Sequence, residues 1–144
     1  MPSTFSCLHV HVIFATKERF PLIKKAWMDR LHAFLGSVMV EREVVPVAIG
    51  GVADHVHVRL RIKPVHSLAD IVRDLKAVSS KWIRDERLEP AFAWQEGYGA
   101  FSVSPTNLEA VVRYIGNQEE HHRTRSSEEE FRDFLNKAGI PVPP

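Results

Sequence analysis

The chain has 144 residues, a length for one domain whose core can stand without disulfide staples. Its 44% hydrophobic and 26% charged residues are those of an ordinary globular protein, and a net charge of +1 argues against a grossly basic nucleic-acid coat while leaving room for a local basic face. Cys7 is the single cysteine, so no internal disulfide can form; with no leader-like segment and no membrane-spanning run, the expectation is a cytoplasmic protein.

Residues 5–15, FSCLHVHVIFA, alternate with period two. Leu8, Val10, Val12 and Phe14 share one face, and His9, His11 and Ile13 the other, as in a strand with one apolar side. The period changes over residues 22–39. There Trp27, Leu31, Phe34, Leu35 and Val38 fall at helical spacing, with Pro21 placed for the helix start. Residues 44–53, VVPVAIGGVA, read as a short strand ending near a glycine pair. Residues 55–62, HVHVRLRI, alternate again: Val56, Val58, Leu60 and Ile62 oppose His55, His57, Arg59 and Arg61.

Ser67 opens a second helix, with Asp70 three residues on as its capping box. Leu68, Ile71, Leu75, Val78 and Trp82 follow at steps of three and four. Residues 92–103 read as a loop and strand interrupted by Gly97 and Gly99. Ser104 and Pro105 begin a helix whose stripe is Leu108, Val111, Val112 and Ile115. A last helix starts at Ser127, buries Phe131, Phe134 and Leu135, and stops at Gly139. Residues 1–140 thus make a single domain, and PVPP at 141–144 is an irregular tail.

The order is β-α-β-β-α-β-α-α, whose first six elements match the ferredoxin-like split βαβ arrangement. The predicted fold is α+β, an antiparallel sheet with helices on one face. The first strand and the 55–62 strand become neighbours in mid-sheet, so both His-Val-His stretches look out of the face opposite the helices.

A strand repeats in two residues, so His55 and His57 project side by side, as do His9 and His11. Imidazole is a common ligand for divalent ions, but a third ligand has to come from elsewhere. The same spacing also fits a merely structural pair. Of the two tyrosines, Tyr98 lies between glycines and Tyr114 lies in a helix. Gln118, four residues after Tyr114, shares its helix face. A half-buried core tyrosine fits that position equally. Residues 59–87 carry more base than acid, Lys76 and Lys81 among them, a pattern that suits phosphates or an ordinary solvated helix. His121 and His122 are adjacent on a helix, diverge by about 100°, and read as surface.

The segments HVIFATKER, DHVHV, SLADIVRDLKAVSSKWI, FAWQEGYGAFSVS and YIGNQEEHH, in that order and spacing, resemble the single-tyrosine HUH transposases of the Insertion-Sequence-200/605 family and their REP-associated relatives. The resemblance covers nearly the whole chain. It places the HUH motif on His55-Val56-His57, the nucleophile on Tyr114 and the third metal ligand on Gln118. It assigns no ligand role to His9 or His11, although His11 can line the site. Lys17 and Arg19 match basic positions of the family's TK-x-R stretch, and Arg59 and Arg61 depart from its usual apolar or small residues.

The resemblance implies an enzyme that cuts and rejoins single-stranded DNA through a 5′-phosphotyrosine link, assisted by Mg²⁺ or Mn²⁺. It also implies a homodimer with composite sites and DNA with hairpin or palindromic ends. A non-catalytic hairpin-binding module for DNA or RNA on the same fold is the alternative. A small-molecule metallohydrolase ranks last, since no acidic ligand cluster or glycine-rich phosphate loop supports it.

Overall fold

The structure is a computed structural model that describes residues 4–104 together with Glu129, Arg132, Asp133 and Gly139. Its centre is set by two strands of period-two sequence. β1 (Leu8–Ala15) and β3 (His55–Ile62) pair antiparallel along their whole length, from Leu8 opposite Ile62 to Ala15 opposite His55. β2 (Val45–Val52) covers the outer edge of β3, and β4 (Gly99–Ser102) the outer edge of β1. The order β2-β3-β1-β4 is that of the ferredoxin-like sheet. Pro46 has no amide to give, which edge strand β2 tolerates, and the register slips between Pro46 and Ala48.

Two helices fill the gaps between strands: α1 (Lys25–Glu41) and α2 (Leu68–Asp85). Both pack on the apolar face of the sheet. Val12, Phe14, Val56, Val58 and Leu60 meet Leu31, Leu35 and Met39 of α1 and Ile71, Val72 and Leu75 of α2 in one core.

α1 does not start at Pro21 but at Lys25, with Lys24 still extended before it. The intervening residues have another use: Ile23 is buried, and its amide donates to the Ala53 carbonyl at 3.0 Å. The buried stripe of α2 is also turned from the predicted one. Val72, Ser79 and Ile83 face inward, while Val78 and Trp82 stay partly buried at the margin. Trp82 is held there by stacking on Phe34, with ring centroids 4.7 Å apart. Ser79 can sit inside because its hydroxyl accepts from Trp94 Nε1 at 3.0 Å. Ser67 caps α2 by accepting from the Asp70 amide, but the Asp70 carboxylate goes to Arg73, so the capping box is half made.

Glu129, Arg132 and Asp133 are helical, and Gly139 has φ of +73°, which suits a helix-stopping glycine. The predicted helix beyond Ser104, the other residues of the last one, His121, His122 and the tail lie outside the described residues. No described helix is long and apolar enough to cross a membrane.

Candidate functional site

β3 places His55, His57, Arg59 and Arg61 on the sheet face away from α1 and α2, because Val56, Val58 and Leu60 take the helix side. That face is not a solvent face at its centre. His11, His55, His57 and Arg59 are each at most 3% exposed. The rings lie close together: His57 is 4.9 Å from His55 and 5.0 Å from His11, centroid to centroid.

Both β3 imidazoles are held through Nδ1. His55 Nδ1 donates to Asp54 Oδ1 at 2.7 Å. His57 Nδ1 shares a hydrogen bond of 2.8 Å with His11 Nε2. Nδ1 being taken in each ring, Nε2 is the nitrogen with which either would bind a metal. Burial holds His11 far below the usual histidine range, to about 3, and the neighbouring His57 and Arg59 push the same way. His9 is also lowered, by burial first and then by Arg59 and Arg61. It stands opposite Arg61, away from the cluster, so only the second histidine of the first His-Val-His joins the site.

The turn that aims Asp54 is fastened from two sides. Val52 and His55 pair across it, leaving Ala53 and Asp54 as a two-residue hairpin loop. The Asp54 carbonyl accepts from the Thr16 amide at 2.9 Å and from Thr16 Oγ1 at 3.1 Å. Thr16 is fully buried, and its hydroxyl also reaches the Phe20 carbonyl at 2.7 Å. Gly51 completes the hairpin. A methyl there would overlap the His55 carbonyl oxygen and stand 3.0 Å from Val56 Cα. Sequence reasoning assigned no role to Asp54, Thr16 or Gly51. The aspartate immediately before His55 was the available signal.

Lys17 and Arg19 lie on the short 3₁₀ turn Lys17–Arg19 just past Ala15, at the end of β1 that faces His55. Both are exposed. Glu18 and Arg19 have positive φ, and the Glu18 amide donates to Gln95 Oε1 at 2.8 Å. Lys76 is placed differently. It lies over the Phe14 ring on the helix side of the sheet, and its ammonium donates to the Gln95 and Gly97 carbonyls. Burial lowers its pKa, with Glu96 opposing. Lys81, also on α2, pairs with Asp85 at 2.6 Å. The structure therefore puts Lys17 and Arg19 beside the His55 end, and Lys76 and Lys81 on the opposite layer. Tyr98 is 42% exposed just before β4. Tyr114 and Gln118 lie outside the described residues.

The two β3 histidines fit a divalent ion as part of its ligand set, because both are oriented by a partner on the ring nitrogen away from it. Among the described residues no group of three or more His, Cys, Asp or Glu could hold a metal. The third ligand has to be of another type or come from elsewhere.

Residues 4–118 match the model of a family described as IS200-like transposases. The ISDra2 transposase TnpA of Deinococcus radiodurans is 24% identical over 117 residues, spanning 77% of this chain and 84% of that protein. A crystal structure at 1.90 Å of a provisionally assigned transposase from Deinococcus radiodurans R1 superposes with a TM-score of 0.66 at 25% identity, covering 82% of this chain and 95% of the other. A REP-associated tyrosine transposase solved bound to a REP hairpin shares the fold at 12% identity, with a TM-score of 0.62 and coverage of 85% and 72%.

Proposed function

The chain belongs to the IS200-like transposase family, and we propose on that footing that it cuts and rejoins single-stranded DNA with Tyr114 as nucleophile. The observation that carries this reading is the buried pair His55 and His57, each fixed through Nδ1.

In the proposed reaction Tyr114 Oη attacks a backbone phosphorus. The bond from phosphorus to the 3′ oxygen breaks, and a 5′-phosphotyrosine link forms. The phenolic proton leaves, and the departing strand takes a proton as its 3′-hydroxyl. Because one phosphoester replaces another, the reverse attack by a 3′-hydroxyl rejoins DNA without ATP. A phenol with a pKa of about 10 is weakly nucleophilic near neutral pH, so the site has to favour its deprotonation.

His55, His57 and Gln118 would hold a divalent ion, Mg²⁺ or Mn²⁺. The chemistry such an ion supplies when bound is polarisation of the scissile phosphate and relief of its developing charge. Asp54 keeps the His55 ring in place. Lys17 and Arg19, exposed at the same end, supply cations for phosphates along the strand. With Tyr114 the one tyrosine in that role, paired cuts need two copies, and a homodimer with composite sites meets that need. The REP-associated relative holds a hairpin. By that analogy the substrate here is single-stranded DNA with hairpin or palindromic ends.

The test uses single-stranded oligonucleotides from the DNA flanking the gene, run on a denaturing gel. A protein–DNA adduct should form with Mn²⁺ or Mg²⁺ and vanish with EDTA or in Tyr114→Phe. Tight hairpin binding with no adduct in any metal would instead establish a non-catalytic binding module.

A further inference from the structure

We propose that His11 is a positioning residue: it accepts a hydrogen bond from His57 Nδ1–H and so fixes the tautomer in which His57 offers Nε2 to a divalent ion. This rests on the metal reading above and deepens it.

The two rings meet at a single contact of 2.8 Å, His11 Nε2 to His57 Nδ1. Between two neutral imidazoles one nitrogen gives the proton and the other takes it. If His11 were the donor, His57 would carry its own proton on Nε2 and have no lone pair there for a metal. With His57 as donor, that lone pair exists. The neighbouring histidine follows the same rule, since His55 Nδ1 donates to Asp54 Oδ1 at 2.7 Å.

The register explains why His11 is the residue in reach. It stands directly opposite Arg59, while His57 stands opposite Ile13. His11 and His57 are therefore diagonal neighbours on one face, a separation that long side chains bridge. His11 is 2% exposed, so its ring has little freedom to turn away. The two ligands thus have unlike supports. Asp54 brings a carboxylate from the hairpin turn, and His11 an imidazole from the adjacent strand. Of the first His-Val-His, His11 is then the histidine that serves this site.

The experiment titrates the full-length chain with Mn²⁺ and follows free Mn²⁺ by electron paramagnetic resonance. Wild type is compared with His11→Ala and His11→Gln, since a glutamine Oε1 can accept where Nε2 did. The alanine variant should bind about 10–100-fold more weakly, and the glutamine variant should recover most of that loss. Unchanged binding in His11→Ala, or equal losses in both variants, overturns the proposal. A wild type that binds no Mn²⁺ overturns the metal reading itself, and this one with it. Nitrogen-15 NMR of the metal-free wild-type histidines needs no variant. His57 is expected as the Nδ1–H tautomer, and an Nε2–H tautomer would sink the idea.

Discussion

His55 and His57 stood out in the sequence because a strand repeats every two residues and puts both rings on one side. Their supports did not, because a hydrogen bond across a hairpin turn or between strands depends on register that no local pattern prints. Asp54 was visible as the residue before His55, yet its aim follows from the closure of a two-residue loop and from Thr16 holding its carbonyl. Asp54→Ala should therefore weaken Mn²⁺ binding about 10–100-fold, with little change in thermal unfolding of the metal-free chain. Calorimetric titration reads the first quantity, and loss of binding no greater than twofold would remove Asp54 from the site. Histidine protonation gives a second residue-scale expectation. The pKa values of His11 and His32 both lie below the ordinary histidine value of 6.5, chiefly because of burial, that of His11 at about 3. A histidine held neutral in the folded chain binds fewer protons than in the unfolded one. Its contribution is present above pH 6.5 and is lost as pH falls toward the folded value, by up to about 1.4 kcal/mol per pH unit for one such group. In EDTA the urea midpoint should fall between pH 7.5 and 5.5, a window above the carboxylate range. A flat or rising midpoint contradicts that assignment.

Strand β3 was read at its full length because its alternation begins and ends with the element. The helices were read less well. The start of α1 moved because the stretch after Pro21 docks Ile23 on the β2–β3 turn, a tertiary use that overrides a local helix signal. The buried face of α2 turned because Trp94 offers a donor to Ser79, so a serine takes a core position that apolar spacing gave to others. The glycine pair before the turn read as a strand end, but it lies within β2, where Gly51 lets the hairpin close on the His55 backbone. Gly51→Ala should cost about 1–3 kcal/mol in urea unfolding by overpacking. It should also disturb His55, because the displaced atom is backbone. A variant with wild-type stability and Mn²⁺ affinity would show that the hairpin yields freely.

The whole sheet explains the division of labour. With β1 and β3 central, one face takes α1 and α2 and the other gathers His11, His55, His57 and Arg59. The βαββαβ order made this layout legible, since it fixes which strands neighbour and hence which histidines share a face. Burial of that face was not legible, because alternation marks a side as polar without saying whether that side meets solvent. The basic residues sort by layer in the same way. Lys17 and Arg19 lie at the His55 end, whereas Lys76 and Lys81 belong to the helix side. Tyr114 acting beside this histidine face is tested by locating the DNA on the chain. The adduct formed with single-stranded flanking DNA would be trimmed by nuclease, digested with trypsin and analysed by mass spectrometry. A nucleotide remnant is expected on the peptide YIGNQEEHHR, which begins at Tyr114. A remnant on the peptide carrying Tyr98, or on neither, would contradict it.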